Sequence, residues 1–256
     1  VGPRGELELY HGGLRVKNPG GELLADHINY LGYEDLLSEE VKNWSYMKFP
    51  FIKAMGAEDG WYQVGPLARV NNCDYIATPL AEEARREFLV EGEGGPVHAT
   101  LAFHWARTIE ALHCAEAIRE LLDDPEISGE FLMSEKRPNE REQGVGVIEA
   151  PRGTLFHHYW QDEHGLLKKA NLIVSTTNNN TAMNESVRQV ARKAFDGREI
   201  TEGLLNQVEV AIRAYDPCLS CATHALGKMP LQLEAYSCEG ELVSRLVKDS
   251  RGLSRG

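Results

Sequence analysis

The sequence contains no run of 18 apolar residues, which excludes a membrane-spanning helix of ordinary length. Its opening, VGPRGELELY, lacks the apolar core of a secretion signal. The five cysteines, Cys73, Cys114, Cys218, Cys221 and Cys238, are odd in number, and with no such signal they do not form a disulfide framework. A reducing compartment is expected. Basic residues are few: 27 Lys and Arg stand against 39 Asp and Glu, a net charge of −12. That balance excludes a broad phosphate-binding face, so neither nucleic acid nor an anionic membrane is an expected partner. There is no internal repeat and no linker rich in Pro, Gly or Ser, so the reading is of one domain.

What is present suits a globular chain of 256 residues, with 42% hydrophobic and 26% charged residues. Residues 7–30 alternate around Gly-Gly and Asn-Pro-Gly-Gly and predict a β-hairpin. A helix is expected over 79–92, with Thr78 as N-cap and Pro79 at the first turn. The longest predicted helix spans 98–122, where Leu101, Trp105, Ile109, Leu112, Ala115, Ile118 and Leu122 form one apolar stripe. Residues 125–144, with a charge cluster at Glu135–Glu142, read as an exposed loop. Residues 145–175 read as strand, turn and strand. Helices are expected near 181–195 and 202–215, the second with Leu205, Val208, Ile212 and Tyr215 on one face.

Three segments carry chemistry. In Asp216-Pro217-Cys218-Leu219-Ser220-Cys221-Ala222-Thr223-His224, two thiols three residues apart can grip one soft metal ion, and the His can add a ligand. Spacing alone also admits a redox dithiol or a neutral pair. In Glu149-Ala150-Pro151-Arg152-Gly153, Pro and Gly fix a tight backbone that aims a guanidinium at one point, suited to an anion or to a surface salt bridge. In Leu172-Ile173-Val174-Ser175-Thr176-Thr177-Asn178, a strand empties into hydroxyls and amides that either line a site or cap the strand end.

These motifs, in this order and with Tyr62–Arg69 (YQVGPLAR), resemble the C-terminal half of the large subunit of nickel–iron hydrogenases. The DPCLSCATHALG form and Trp44–Phe51 (WSYMKFPF) most resemble the cytoplasmic, NAD(P)-reducing branch. The resemblance implies a mainly α fold with a β-hairpin and a small sheet, and reversible heterolytic cleavage of H2. It implies that Cys218 is a terminal thiolate on nickel and that Cys221 bridges nickel and iron. His224 would bind magnesium, with the carbonyl of Leu172 as a second magnesium ligand. Arg152 and Thr176 would donate to cyanides on an iron that also carries CO, over a floor of Pro151. Asp216 would orient Arg152 and the metal loop, and His157 would support the site. Implied partners are a small subunit with iron–sulfur clusters, a flavin- and NAD-binding diaphorase module, and a maturation endopeptidase.

The family's other cysteine pair sits in an RxCGxCxxxH motif, which this sequence does not contain. With Val at position 1, the expectation is a chain lacking roughly the first half of the subunit. Residues 1–224 would then be large-subunit domain, and 225–256 an extension removed just behind His224. Two rival readings are a non-catalytic hydrogenase-like subunit of respiratory proton pumps, which typically lacks these cysteines, and a structural zinc protein using Cys218, Cys221 and His224.

Overall fold

The computed structural model describes residues 1–130, 142–195, 197, 199–219, 230–249 and 252–255. Cys221 and His224 lie outside the described residues, as does most of the Glu135–Glu142 cluster. The chain divides into two compact units, 1–38 with 64–175 and 39–63 with 176–256.

In the first unit, strands β1 (Leu14–Lys17) and β2 (Leu23–Ile28) pair antiparallel. The turn between them closes through the Gly21 amide on the Asn18 carbonyl at 2.9 Å, with Gly21 at φ 88°. A short helix α1 (Tyr33–Leu36) leads into strand β3 (Leu37–Val41), along which the chain enters the second unit.

There β3 pairs with β4 (Lys48–Ile52), a two-stranded ribbon in which Pro50 is tolerated because no third strand asks for its missing N–H. Helix α2 (Gly56–Asp59) follows, and the chain returns to the first unit at Val64.

Helix α3 (Pro66–Asn72) starts with Gly65 at φ 98° and Pro at its first position. Helix α4 (Pro79–Val90) falls where expected, but Thr78 does not cap it. The Thr78 hydroxyl bonds His113 Nδ1 at 2.9 Å, and the carboxylate of Glu116 takes the Leu80 and Ala81 amides at 3.1 and 2.9 Å. Helix α5 (Ala102–Leu122) is present, yet of its predicted stripe only Ile109 is fully buried. Phe103, Ala106, Ile109, Glu110 and Glu116 are buried, while Ile118 and Leu122 are 58% and 65% exposed. The helix is rotated so that Glu110 reaches Arg69 and Glu116 caps α4. A buried carboxylate without its partner costs more than an exposed leucine.

The rest of the first unit is an antiparallel meander of β5 (Gln143–Ala150), β6 (Gly153–Gln161) and β7 (Leu167–Ile173). Ser175–Asn178 then makes a single turn, α6.

The second unit continues with α7 (Asn180–Ala194) and α8 (Glu202–Ala214), the latter capped by Thr201 Oγ1 on the Leu204 amide at 3.2 Å. The Leu205, Val208 and Tyr215 face is buried as predicted. Strands β8 (Leu231–Tyr236), β9 (Leu242–Asp249) and β10 (Gly252–Arg255) form an antiparallel sheet within the expected extension.

The fold is therefore not mainly α. Among the described residues, helical residues make up 40% and strand residues 28%, with the strands in four small sheets. The periodicity that announces α7 and α8 has no counterpart in short two- and three-stranded ribbons with one wet face, so much of the strand content escapes a reading of the sequence. Among the described residues, no helix is long and apolar enough to cross a membrane.

Candidate metal centre

In the first unit, the register Ala150↔Gly153 makes Pro151-Arg152 the two-residue tip of the β5–β6 hairpin. Proline presets the first turn position, and Gly153 adopts φ 136°. A side chain at Gly153 would meet Val64 Cγ2 at 2.2 Å, and one at Gly65 would meet the Arg152 carbonyl at 2.9 Å. The two glycines let the EAPRG and VGP segments touch backbone to backbone. Arg152 is exposed at this tip.

Arg69 holds the tip in place. Its Nε and Nη2 bond the Glu110 carboxylate at 2.6 and 2.7 Å. Its Nη1 donates to Glu149 Oε2 at 2.7 Å and to the Ala150 carbonyl at 2.9 Å, and Nη2 also reaches the Pro151 carbonyl at 3.2 Å. All five guanidinium N–H groups are thus matched by acceptors. Burial alone would lower the Arg69 pKa, but the two carboxylates outweigh it and raise it above the ordinary arginine range. Thr154 Oγ1 donates to the other Glu149 oxygen, and Ser175 Oγ donates to the Gly153 carbonyl at 2.8 Å. The carbonyls of Ala150, Pro151 and Gly153 therefore each receive a side-chain donor.

Leu172, half-buried on β7, lies opposite His157 in the β6–β7 register. The His157 ring bonds the Tyr159 hydroxyl at 2.7 Å. His158 is buried between the Tyr33 hydroxyl at 3.2 Å and Gln143 Oε1 at 3.3 Å, and its ring stacks on Trp160. Desolvation pushes its pKa down, against the nearby Glu34 carboxylate.

In the second unit, α8 ends where Asp216 takes the left-handed conformation, φ 49°, with its amide on the Arg213 carbonyl at 2.9 Å. Aspartate tolerates this region better than most residues, and Pro217 prevents the helix from continuing. The chain is thereby turned so that the Cys218 amide donates to Thr176 Oγ1 at 3.1 Å. Tyr215, buried just before the turn, bonds the Ser186 hydroxyl at 2.8 Å and the Ala182 carbonyl at 3.2 Å, fixing the end of α8 to α7.

Thr176, Thr177, Asn178, Asn179 and Asn180 are all buried. Buried polar groups must be paired. Tyr62 donates to Asn178 Oδ1 at 2.5 Å, and Asn180 Nδ2 donates to the Lys48 carbonyl. Burial and the Glu39 carboxylate push the Tyr62 hydroxyl well above the usual phenol range, so it stays a donor.

The structure thus brings Thr176 to Cys218 beside the Asp216 turn, and it puts Pro151 and Arg152 on a braced hairpin tip. Among the described residues, no group of three or more His, Cys, Asp or Glu is placed to hold a metal. Cys218 itself is half-buried, with its sulfur in a disulfide; reduction would free a thiolate, a soft metal donor. Sequence reasoning names Tyr62 and Arg69 only as the ends of the YQVGPLAR run and Ser175 only as one hydroxyl at the strand end, gives none of them its own role, and does not name Glu110. The one local signal is the Gly-Pro helix start four residues before Arg69.

Comparison with known proteins identifies the family. Residues 24–224 match the family model described as nickel-dependent hydrogenase. The chain is 48% identical over 250 residues to the beta subunit of the NAD-reducing hydrogenase HoxS of Cupriavidus necator, covering 97% of this chain and 51% of that protein. It is 43% identical over 251 residues to a subunit of the F420-non-reducing hydrogenase of Methanothermobacter marburgensis, covering 94% of this chain and 51% of that protein. A crystal structure of an NAD+-reducing [NiFe]-hydrogenase in the H2-reduced state superposes with a TM-score of 0.81 at 52% identity, over 86% of this chain and 48% of the other. The chain spans about half the length of the relatives it matches.

Proposed function

Because this chain belongs to the nickel-dependent hydrogenase family, we propose that it forms the C-terminal half of a catalytic large subunit that cleaves H2 heterolytically and passes the electrons to NAD(P) through partner subunits. The observation that carries this reading is the Cys218 amide held by Thr176 directly behind the left-handed Asp216, within the DPCLSCATH motif. Cys218 and Cys221 are the proposed nickel ligands, Cys221 also facing iron. His224 and the Leu172 carbonyl are the proposed magnesium ligands. A nickel–iron centre with CN and CO ligands, when bound, supplies the soft, electron-rich site at which H2 is polarised and split.

The chain's own residues position and insulate. Thr176 accepts from the Cys218 amide, which leaves its hydroxyl hydrogen to donate to a cyanide nitrogen. Arg152 supplies a planar fork of donors for a second cyanide, and Pro151 gives the tip a rigid apolar floor. Asp216, in its left-handed turn, would orient the metal loop. The His157 ring, opposite Leu172 in the β6–β7 register, is held by the Tyr159 hydroxyl on its own strand and would support the site from there.

The 48% identity to an NAD-reducing hydrogenase subunit supports NAD(P) as acceptor and a cytoplasmic setting. It also supports a small subunit carrying iron–sulfur clusters and a flavin-binding diaphorase as partners. A maturation endopeptidase acting behind His224 completes the proposed set. The test joins this chain to the first half of the large subunit and the small subunit, purified without oxygen. Nickel and iron should co-purify, and H2 should reduce a viologen dye. Zinc in their place, or no metal, would overturn the reading.

A further inference from the structure

The last strands of the chain are built as a removable part. Sheet β8–β9–β10 is closed by its own hydrogen bonds, with β9 central and the β8–β9 turn tied by Ser237 Oγ, which accepts the Glu239 and Glu241 amides at 3.2 and 3.1 Å. Along β8 the residues alternate, with Leu231, Leu233 and Ala235 turned inward and Gln232, Glu234 and Tyr236 exposed. None of these bonds needs the chain before residue 230.

The inner face of the sheet meets one face of α8. Ala235 and Leu246 share a core cluster with Ile200, Leu204, Leu205 and Val208, and Leu246 is 1% exposed. Two polar contacts fix the register: Lys248 Nζ on Glu209 Oε2 at 2.5 Å, and Ser244 Oγ accepting the Ile200 amide at 3.2 Å. Without the sheet, the cluster of Ile200, Leu204, Leu205 and Val208 loses the cover of Ala235 and Leu246, opening an aliphatic patch that a stable surface does not leave bare.

We propose that this face of α8 is a docking surface for the C-terminal sheet itself, holding it without the covalent link. A chain cut between residues 224 and 230 keeps its last strands bound. The biological setting, excision of the tail behind His224, rests on the function proposed above; the docking does not. In that setting hydrolysis alone does not discharge the tail. It leaves only when another surface, with an apolar inner face and a cation for Glu209, takes its place.

The test needs neither nickel nor the native endopeptidase. A flexible linker carrying a site-specific protease sequence is inserted between residues 225 and 230 of the whole chain. After cutting, confirmed by mass spectrometry under denaturing conditions, the C-terminal piece should co-elute with the body in size-exclusion chromatography at micromolar concentration. Leu246→Asp should release it after cutting. Should that variant not fold, Lys248→Glu, which sets like charges against each other at the partly exposed rim, should speed its loss about two- to fivefold. A wild-type piece that elutes separately at once would overturn the proposal. So would a folded Leu246→Asp chain that retains its piece as wild type does. Failure of the hydrogenase reading would show in metal content and leave this result unchanged.

Discussion

Arg69 Nη1 lies 2.7 Å from Glu149 Oε2 and 2.9 Å from the carbonyl of the very next residue, Ala150. One guanidinium thus fixes both the last charged side chain of β5 and the first carbonyl of the turn that carries Arg152. Glu110 on α5 completes the clamp from the other side.

Arg69→Ala leaves two largely buried carboxylates and two carbonyls without their donor. The chain should lose about 3–5 kcal/mol, the range for breaking a buried pair from one side. Arg69→Lys should recover only part, because one ammonium cannot serve five acceptors in a plane. Denaturant unfolding followed by tryptophan fluorescence checks this, since Trp160 lies at the far end of the same hairpin. A midpoint unchanged in Arg69→Ala would show that the clamp is not needed to hold the tip.

At Thr176 the acceptor function can be separated from shape. Thr176→Val keeps the branched outline but strands the Cys218 amide, which should cost about 1–3 kcal/mol. Thr176→Ser keeps the hydroxyl and should cost less than about 1.5 kcal/mol, mainly for the lost methyl. Hydrogen exchange at the Cys218 amide should be faster in the valine variant alone. Equal exchange in all three proteins would remove Thr176 from its positioning role.

His158 makes stability depend on pH. Its folded pKa lies below the ordinary 6.5 because burial disfavours the charged ring. The unfolded state then binds more protons in the window from 6.5 down to the folded value, so stability falls as pH falls through it. His158→Gln, which keeps polar atoms near Tyr33 and Gln143, should flatten this slope while lowering stability overall. Unfolding midpoints measured at pH 7.5 and 5.5 give the comparison. An unaltered slope in the variant would assign the acid sensitivity elsewhere.

Legibility in the sequence followed the range of the interaction. The Asn-Pro-Gly-Gly turn and the α7 and α8 periodicities are local; the two helices lie within a residue or so of their expected ends, and the hairpin lies inside its expected span but starts only at Leu14. The metal-loop motif was legible because its residues are neighbours. The Arg69 clamp spans 41 residues to Glu110 and 80 to Glu149, and no local pattern encodes such a meeting. The same holds for Glu116 capping α4, which displaced Thr78 and helped turn the α5 stripe outward. Strand content was missed in β3–β4, where Pro50 interrupts the pattern, and in β8–β10, where a tail reads as a mere extension. Cys218, Thr176 and Asp216 could be named from the motifs, but their geometry depends on the left-handed turn after α8.

The proposed function turns on Cys218 as a nickel ligand. Its most direct test is the nickel content of the assembled large subunit, measured by elemental mass spectrometry for the wild type and for Cys218→Ser, with circular dichroism confirming that both fold. A hydroxyl is a hard donor and does not replace a soft thiolate. The wild type should carry stoichiometric nickel and the variant should lose nearly all of it, with H2-dependent dye reduction lost in parallel. A folded Cys218→Ser protein that retains wild-type nickel and turnover would contradict it.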